Sequence, residues 1–157
     1  MAISALEICR PETAPFFDRG LSRVHWPCRM EECREGIVVD VSHTVAGIGG
    51  MVRDFGEIYG KAVVVFGMLS DKDVDGACRL ISTIASEVIV TAPDTERANP
   101  ADDTLRRMRV FFPDAAYAPS VAEAMDIAAG RAADGRTVLV TGSFHMAEEA
   151  LAWLNRG

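Results

Sequence analysis

Five short apolar runs alternate with segments of helical periodicity along most of this chain. The runs cover residues 37–41, 62–66, 88–91, 115–118 and 137–141. Continuous apolar runs of this length, bounded by turn residues, are typical of strands buried on both faces. Repeated strand–helix units predict an α/β, Rossmann-like fold, with a mostly parallel sheet and helices on both faces.

The segments between the runs have the spacing of amphipathic helices. We predict helices over residues 45–59, 74–85, 100–109, 120–133 and 147–155. Ser120 is the expected N-cap of the fourth helix, and Ser70 or Asp71 that of the second. The first run is not followed by G-x-G-x-x-G, so a dinucleotide site is not indicated.

The first 35 residues have a different pattern. Helical spacing over residues 2–9 and 16–24 is interrupted by Pro11 and Pro15, and no apolar strand is evident. We therefore divide the chain into a helical leader, residues 1–35, and an α/β domain, residues 36–157.

The composition suits a folded protein with an acidic surface. Of 157 residues, 49% are hydrophobic, and the formal net charge is -7. Such a charge argues against nonspecific binding to nucleic acid or anionic membranes. No stretch approaches the roughly 20 apolar residues of a membrane span, and residues 1–10 lack the pattern of a signal peptide. We expect a cytoplasmic protein with reduced cysteines.

Four possible zinc ligands, His25, Cys28, Cys33 and His43, lie close in sequence. Their spacing matches no standard zinc finger, so we expect unconnected residues and no metal site.

The segment from Lys61 to Asp73 is the most informative single stretch. An apolar strand ends at Gly67, and polar residues follow before the next helix. Because ligands of parallel sheets gather beyond the carboxyl ends of strands, residues 68–73 are predicted to face a ligand. The alternative is an ordinary loop whose polar residues cap the helix.

Four segments together resemble a known family. They are residues 26–31 (WPCRME), 40–43 (DVSH), 67–73 (GMLSDKD) and 140–145 (VTGSFH). In this order they resemble the C-terminal domain of folylpolyglutamate synthase/dihydrofolate synthase, a Mur-ligase-like family. The family carries W-P-G-R-x-E, D-x-A-H-N-P, a G-x-x-x-D-K-D loop and G-S-[FL]-[HY]. The leader is similar to the helices that end the family's central domain.

The resemblance implies an ATP-dependent ligase that joins the amine of glutamate to a carboxylate of a folate-like acceptor. Arg29, Asp40 and His43 match the residues that lie at ATP. An arginine suits phosphates, and a carboxylate can accept hydrogen bonds from hydroxyl or amino groups.

The other two motifs imply a substrate or closure loop. Their residues are Asp71, Lys72, Asp73, Ser143 and His145. We assign no catalytic residue to this chain.

Local chemistry leaves alternatives open for several of these residues. Arg29 could be a surface arginine paired with Glu31 or Glu32. Asp40 could cap the following helix, and His43 could be a polar loop residue. Ser143 and His145 could cap the last helix rather than act as nucleophile and base.

The sequence departs from the family pattern in two places. Cys28 replaces the glycine of W-P-G-R, and Thr44-Val45 replaces Asn-Pro. If that glycine adopts a backbone shape that cysteine resists, Arg29 would be displaced.

The 157 residues contain no G-x-x-x-x-G-K-[ST] phosphate-binding loop. Two hypotheses follow. The chain is a module of an amide-forming ligase that needs a P-loop domain in cis or in trans, with Mg²⁺ held by that domain. Alternatively, it is a stand-alone nucleotide-binding or protein-interaction module that has lost ligase activity.

Overall fold

The computed structural model describes residues 2–156. None of the helices in this range combines the length and apolar character that crossing a bilayer requires.

Residues 2–156 form six strands and seven α-helices. The strands are β1 Glu31–Arg34, β2 Ile37–Val39, β3 Ala62–Phe66, β4 Ala85–Val90, β5 Ala116–Tyr117 and β6 Val138–Thr141. The helices are α1 Ala2–Cys9, α2 Phe17–Leu21, α3 Val45–Ile58, α4 Val74–Ser82, α5 Ala101–Phe111, α6 Val121–Ala133 and α7 Phe144–Leu154. A 3₁₀ helix, Pro11–Phe16, lies between α1 and α2.

The sheet has the strand order β1-β2-β6-β3-β4-β5. All pairs are parallel except β1 with β2, which is antiparallel. The predicted mostly parallel α/β sheet is therefore confirmed. Strand β1 was not expected, and it lies inside residues 1–35, the segment that the sequence indicated to be a helical leader.

Helices cover both faces of the sheet, as predicted. Successive residues of β3 point to opposite sides, so Val64 packs in the core with α3, α4 and α5 while Val63 and Val65 pack with α6 and α7. This alternation is the period-two geometry of a strand, and both sides are apolar because both are buried.

Side-chain caps fix the starts of four helices after their strands. Thr44, Asp73, Ser120 and Ser143 each accept a hydrogen bond from the backbone N–H three residues later. Asp73, and not Ser70 or Asp71, is thus the N-cap of α4. The cap at Ser143 starts α7 at Phe144, three residues before the predicted start.

Two boundaries in the middle of the chain also differ from the prediction. Helix α4 ends at Ser82, where the Thr83 hydroxyl donates to the carbonyl of Leu80. Strand β4 consequently begins at Ala85 rather than at residue 88. Thr83 keeps helical dihedral angles as the C-cap residue, and its N–H and hydroxyl both donate to the carbonyl of Leu80, as in the tightened last turn of a helix.

The helical part of the leader, residues 2–21, packs mainly on itself. Helix α1 has the predicted bounds, whereas the second predicted helix, residues 16–24, is shortened to α2, and the segment with Pro11 and Pro15 forms the 3₁₀ helix. Neither of these two contains a buried residue.

The carboxyl ends of β3 and β6 approach each other through two glycines. Gly142 has a φ of 118°, and a Cβ there would lie 2.2 Å from the carbonyl oxygen of Gly67. A Cβ on Gly67 would in turn lie 2.8 Å from the carbonyl oxygen of Thr91. The loop that follows β6 can therefore approach Gly67 only because Gly142 has no side chain, and Gly67 must lack one because of the segment that follows β4.

We expect Gly142→Ala to destabilise the fold by about 2–4 kcal/mol, from backbone strain together with steric overlap. The control is Gly130→Ala in α6, where a Cβ meets nothing within 4 Å; removing a helix-interior glycine should stabilise by about 0.5–1 kcal/mol. Urea unfolding of both variants measures the difference. Equal stabilities would contradict the packing described here.

Candidate functional site

Two neighbouring cavities lie at the edge of the sheet where the parallel strands end. We call the first the arginine cavity; it has a volume of about 260 Å³ and is lined by Arg29, Met30, Asp40, Ser42, Gly47, Gly50, Met51 and Asp54. We call the second the lysine cavity; it has a volume of about 190 Å³ and is lined by His43, Leu69, Lys72, Arg97, Ser143, Phe144 and His145. This edge is where open parallel sheets bind their ligands.

The loop that carries Arg29 has an unusual backbone. Cys28 and Met30, on either side of the arginine, have φ values of 56° and 48°. Cysteine thus adopts the left-handed conformation that glycine adopts easily, at a cost of about 1–2 kcal/mol. Cys28 is held there at both ends: its N–H donates to Glu31 Oε2 at 2.7 Å, and its carbonyl accepts from the N–H of Val41 at 2.9 Å.

Asp40 fastens this loop to the end of β2. Its side chain is buried, and its two oxygens accept hydrogen bonds from the N–H groups of Met30 at 3.1 Å and Ser42 at 2.8 Å. A buried carboxylate requires such partners, because its desolvation is otherwise unfavourable. Asp40 therefore does not cap α3, which is capped by Thr44.

Arg29 is exposed at the rim of the arginine cavity. Among the residues that the structure describes, it makes no ion pair. Glu31 contacts His25 and the N–H of Cys28, and Glu32 accepts from the N–H of Gly36. The guanidinium is consequently free to bind an anion, and the alternative of an Arg29–Glu31 or Arg29–Glu32 pair is not observed.

The thiols near this loop are not activated. Burial raises the pKa of the Cys28 thiol, and the charges of Glu31 and Asp40 raise it further. Burial raises the pKa of Cys33 to about 11. Both are neutral thiols near neutral pH, so neither has the properties of a nucleophile. Among the described residues, no group of three or more His, Cys, Asp or Glu side chains could hold a metal ion.

Basic side chains surround the lysine cavity. Lys72 Nζ lies 2.8 Å from Asp71 Oδ2, and Arg97 Nη2 lies 3.3 Å from Asp71 Oδ1. The hydrogen bond from Lys72 lowers the pKa of the Asp71 carboxyl, and the charge of Arg97 contributes in the same direction. One carboxylate thus orients two cations at the entrance of the cavity.

His43 and His145 also line the lysine cavity. His43 Nδ1 lies 3.0 Å from the carbonyl oxygen of Val41, so that nitrogen is the donor and Nε2 is left available. The His43 ring packs against Phe144, with ring centroids 5.3 Å apart. His145 lies in the first turn of α7, with Nδ1 3.8 Å from a carboxylate oxygen of Glu148.

Residues 68–73 were predicted to face a ligand, and they are hydrogen-bonded to the segment that follows β4. The N–H of Ser70 donates to the carbonyl of Arg97, and the N–H of Asn99 donates to the carbonyl of Met68. Arg97 was missed by the sequence analysis because it belongs to no motif. The available signal was its position after β4, the neighbour of β3 in the sheet.

The structure divides the predicted site residues into three sets. Arg29 and Asp40 line one cavity, and His43, Lys72, Ser143 and His145 line the other. Asp71 orients Lys72, and Asp73 is occupied as the cap of α4. Ser143 caps α7 by accepting from the N–H of Met146, as the alternative reading of the sequence proposed.

The strained loop gives a testable prediction. Cys28→Gly and Cys28→Ala remove the same sulfur, but only glycine relieves the positive φ. We expect the glycine variant to be more stable than the alanine variant by about 1 kcal/mol, the reverse of the usual order. Urea unfolding compares the two directly. Greater stability of the alanine variant would mean that Cys28 is not held in the left-handed conformation.

Comparisons with known proteins agree with this architecture. The family model for the Mur ligase glutamate ligase domain matches residues 28–144. The chain is 33% identical over 94 residues to folylpolyglutamate synthase of Lacticaseibacillus casei, covering 57% of this chain and 22% of that protein. It is 29% identical over 156 residues to a probable bifunctional folylpolyglutamate synthase/dihydropteroate synthase of Haloferax volcanii, covering 96% of this chain and 18% of that protein.

A solved structure gives the same result. Mycobacterium tuberculosis folylpolyglutamate synthase complexed with ADP superposes with a TM-score of 0.80 at 26% identity, over 88% of this chain and 34% of that one. The chain thus spans about a fifth of the curated relatives' length and a third of the solved structure's. With three quarters of its residues matched by the family model, this chain belongs to the Mur ligase glutamate ligase domain family.

Proposed function

We propose that this chain serves as the C-terminal module of a folylpolyglutamate synthase-type ligase, which adds glutamate to a folate-like carboxylate at the expense of ATP. The observation that carries the proposal is the pair of adjoining cavities at one edge of the sheet. One presents an unpaired arginine, and the other is surrounded by basic side chains. Two anionic reactants of different size could be held there next to each other.

The arginine cavity is the proposed nucleotide side. Arg29 would contact phosphates, for which a guanidinium offers several donors and a permanent charge. Asp40 would act through the backbone, since its hydrogen bonds to the N–H groups of Met30 and Ser42 hold the loop that carries Arg29. His43, at the junction of the cavities, would lie beside the phosphate that is transferred.

The lysine cavity is the proposed amino-acid side. Lys72 and Arg97 offer charge-assisted contacts to the carboxylates of glutamate, and His145 offers a ring nitrogen for a further hydrogen bond. The N-terminus of α7, at the same cavity, favours negative charge. This arrangement would orient the amine of glutamate toward the activated carboxylate and exclude water from it.

A P-loop domain is the proposed partner, in cis or in trans. The cavities here lack a phosphate-cradling loop, and ATP and Mg²⁺ would be held mainly by that domain. The leader offers an apolar surface for contact, because Ile8, Phe16 and Trp26 are 82%, 65% and 69% exposed. A ligase of folate metabolism would act in the cytoplasm.

The binding-module alternative has less support from the geometry. Its basis is the replacement of a family glycine by Cys28 and of Asn-Pro by Thr44-Val45. Cys28 nevertheless adopts the left-handed backbone, so Arg29 is not displaced from the cavity rim. Thr44 supplies the N-cap of α3.

Nucleotide titration tests the proposal. Arg29→Ala should weaken ATP binding by about 1.5–3 kcal/mol, the range for hydrogen bonds to charged groups. The matched control is Arg79→Ala, which removes an exposed arginine from the last turn of α4. Calorimetry is carried out on the chain alone and on the chain with the P-loop domain of a related folylpolyglutamate synthase.

Equal losses in the two variants would indicate diffuse electrostatics rather than a site. No detectable ATP binding by the unsubstituted chain in either setting would overturn the nucleotide role.

A further inference from the structure

A third cavity lies at the opposite edge of the sheet, where the parallel strands begin. We call it the distal cavity; the start of β2, the residues just before β6 and the last turns of α6 line it. Its volume of about 540 Å³ exceeds those of the arginine and lysine cavities. Pockets that hold small molecules have volumes of about 300–1,000 Å³. The distal cavity is therefore large enough for a ligand, and it is separate from the candidate site.

The floor of the distal cavity is apolar and open. Ile37 is 1% exposed, and Ala132 packs against the core between α6, α7 and the sheet. A Cβ on Gly36 would lie 3.7 Å from the Cβ of Ala132, so the two residues meet without a longer side chain between them. Short side chains on both elements thus leave the space unfilled.

One uncompensated positive charge lies at the rim. Arg34 Nη2 donates to the carbonyl of Leu154 at 2.6 Å, and its guanidinium lies 5.4 Å from the centroid of the Trp153 ring. These contacts position the guanidinium without neutralising it, and Arg34 makes no ion pair within residues 2–156. A guanidinium has five N–H donors, so donors remain for a ligand.

The other two charged residues of the lining differ from each other. Arg136 is compensated, because its Nη1 donates to Glu87 Oε2 at 2.8 Å and its Nη2 donates to Ser86 Oγ at 3.2 Å. Glu35 is exposed, and its carboxylate has no hydrogen-bond or ion-pair partner in the described part of the chain. The distal cavity thus presents one free cation and one free anion beside an apolar floor.

We propose that the distal cavity binds a free α-amino acid with a large apolar side chain. The α-carboxylate would bind Arg34, the α-ammonium group would bind Glu35, and the side chain would lie on the floor. Both groups of such a ligand are charged near neutral pH, so each meets the opposite charge. A simple anion would face Glu35, and a simple cation would face Arg34.

Glutamate fits the distal cavity poorly, because its second carboxylate would meet apolar surface or Glu35. The proposal therefore concerns a different ligand from the glutamate proposed for the lysine cavity, and it does not rest on the proposed function.

Three probes that share a phenyl group test the charge assignment. They are L-phenylalanine, 3-phenylpropionate, which lacks the ammonium group, and phenethylamine, which lacks the carboxylate. Each is titrated by calorimetry into the full chain. Phenylalanine should bind at least about threefold more tightly than either analogue, as expected for exposed charge pairs. Equal affinities for phenylalanine and 3-phenylpropionate would overturn the assignment.

Two variants separate the charged groups. Arg34→Gln should weaken both phenylalanine and 3-phenylpropionate by about tenfold, the effect of losing a charge-assisted hydrogen bond. Glu35→Gln should weaken phenylalanine by about threefold and should not weaken 3-phenylpropionate. The control Glu57→Gln, at an exposed glutamate of α3, should change neither. A structural role of Glu35 would weaken both ligands alike, and that result would overturn the proposal.

A filled cavity locates the binding. Ala133→Leu adds a larger side chain to the lining at the exposed last residue of α6, so phenylalanine binding should be lost. The matched control Ala152→Leu, at an exposed position of α7, should bind as the unsubstituted chain does. Urea unfolding should show both variants folded. Unchanged affinity in Ala133→Leu, or no binding of phenylalanine by the unsubstituted chain at millimolar concentration, would overturn the proposal.

Discussion

The buried carboxylate of Asp40 is the contact on which the candidate site depends. It sits at the end of β2 and binds one backbone N–H from the loop of residues 28–30 and one from the turn that leads to α3. These two hydrogen bonds fix the loop of residues 28–30 to the end of β2, and so they determine the position of Arg29. The left-handed residues on both sides of Arg29 are maintained by the same set of contacts, since Cys28 is also bonded to Glu31 and Val41.

A second constraint shapes the lysine cavity. Gly67 and Gly142 allow the ends of β3 and β6 to come closer than side chains would permit. As a result, the loop that contains Lys72 and the start of α7 line the same cavity. The site thus depends on main-chain geometry at strand ends.

Much of the fold was predictable from the sequence because its physical signals are local. The strands β2, β3 and β6 are apolar runs, and Ser120 and Ser143 are recognisable caps before helical spacing. Strand β1 was not predictable in this way. Its residues, Glu31 to Arg34, are mostly polar and alternate between half-buried and exposed, as edge strands do. β1 forms because it pairs with β2 in a hairpin. This pairing is a contact between two segments, and no sequence pattern within residues 31–34 reveals it.

The site was predictable only in part, for a related reason. The motifs identified Arg29, Asp40 and Lys72, but they could not distinguish a side chain that faces a cavity from one that supports a loop. Asp73 is of the second kind, and Asp40 does both, since it lines the arginine cavity while its oxygens accept hydrogen bonds from backbone N–H groups. Arg97 lies outside every motif and joins the site through the pairing of residues 68–70 with residues 97–99.

Ligation assays test the central claim most directly, that this edge of the sheet completes an active site begun by a P-loop domain. The chain, the P-loop domain of a related folylpolyglutamate synthase, and their mixture are each incubated with ATP, Mg²⁺, labelled glutamate and a reduced folate. The glutamylated folate should form only in the mixture. Formation of that product by the purified chain alone, at an ordinary enzymatic rate of about 1 s⁻¹ or more, would contradict it. Failure of the mixture to form the product, under conditions in which the two proteins form a complex, would contradict it as well.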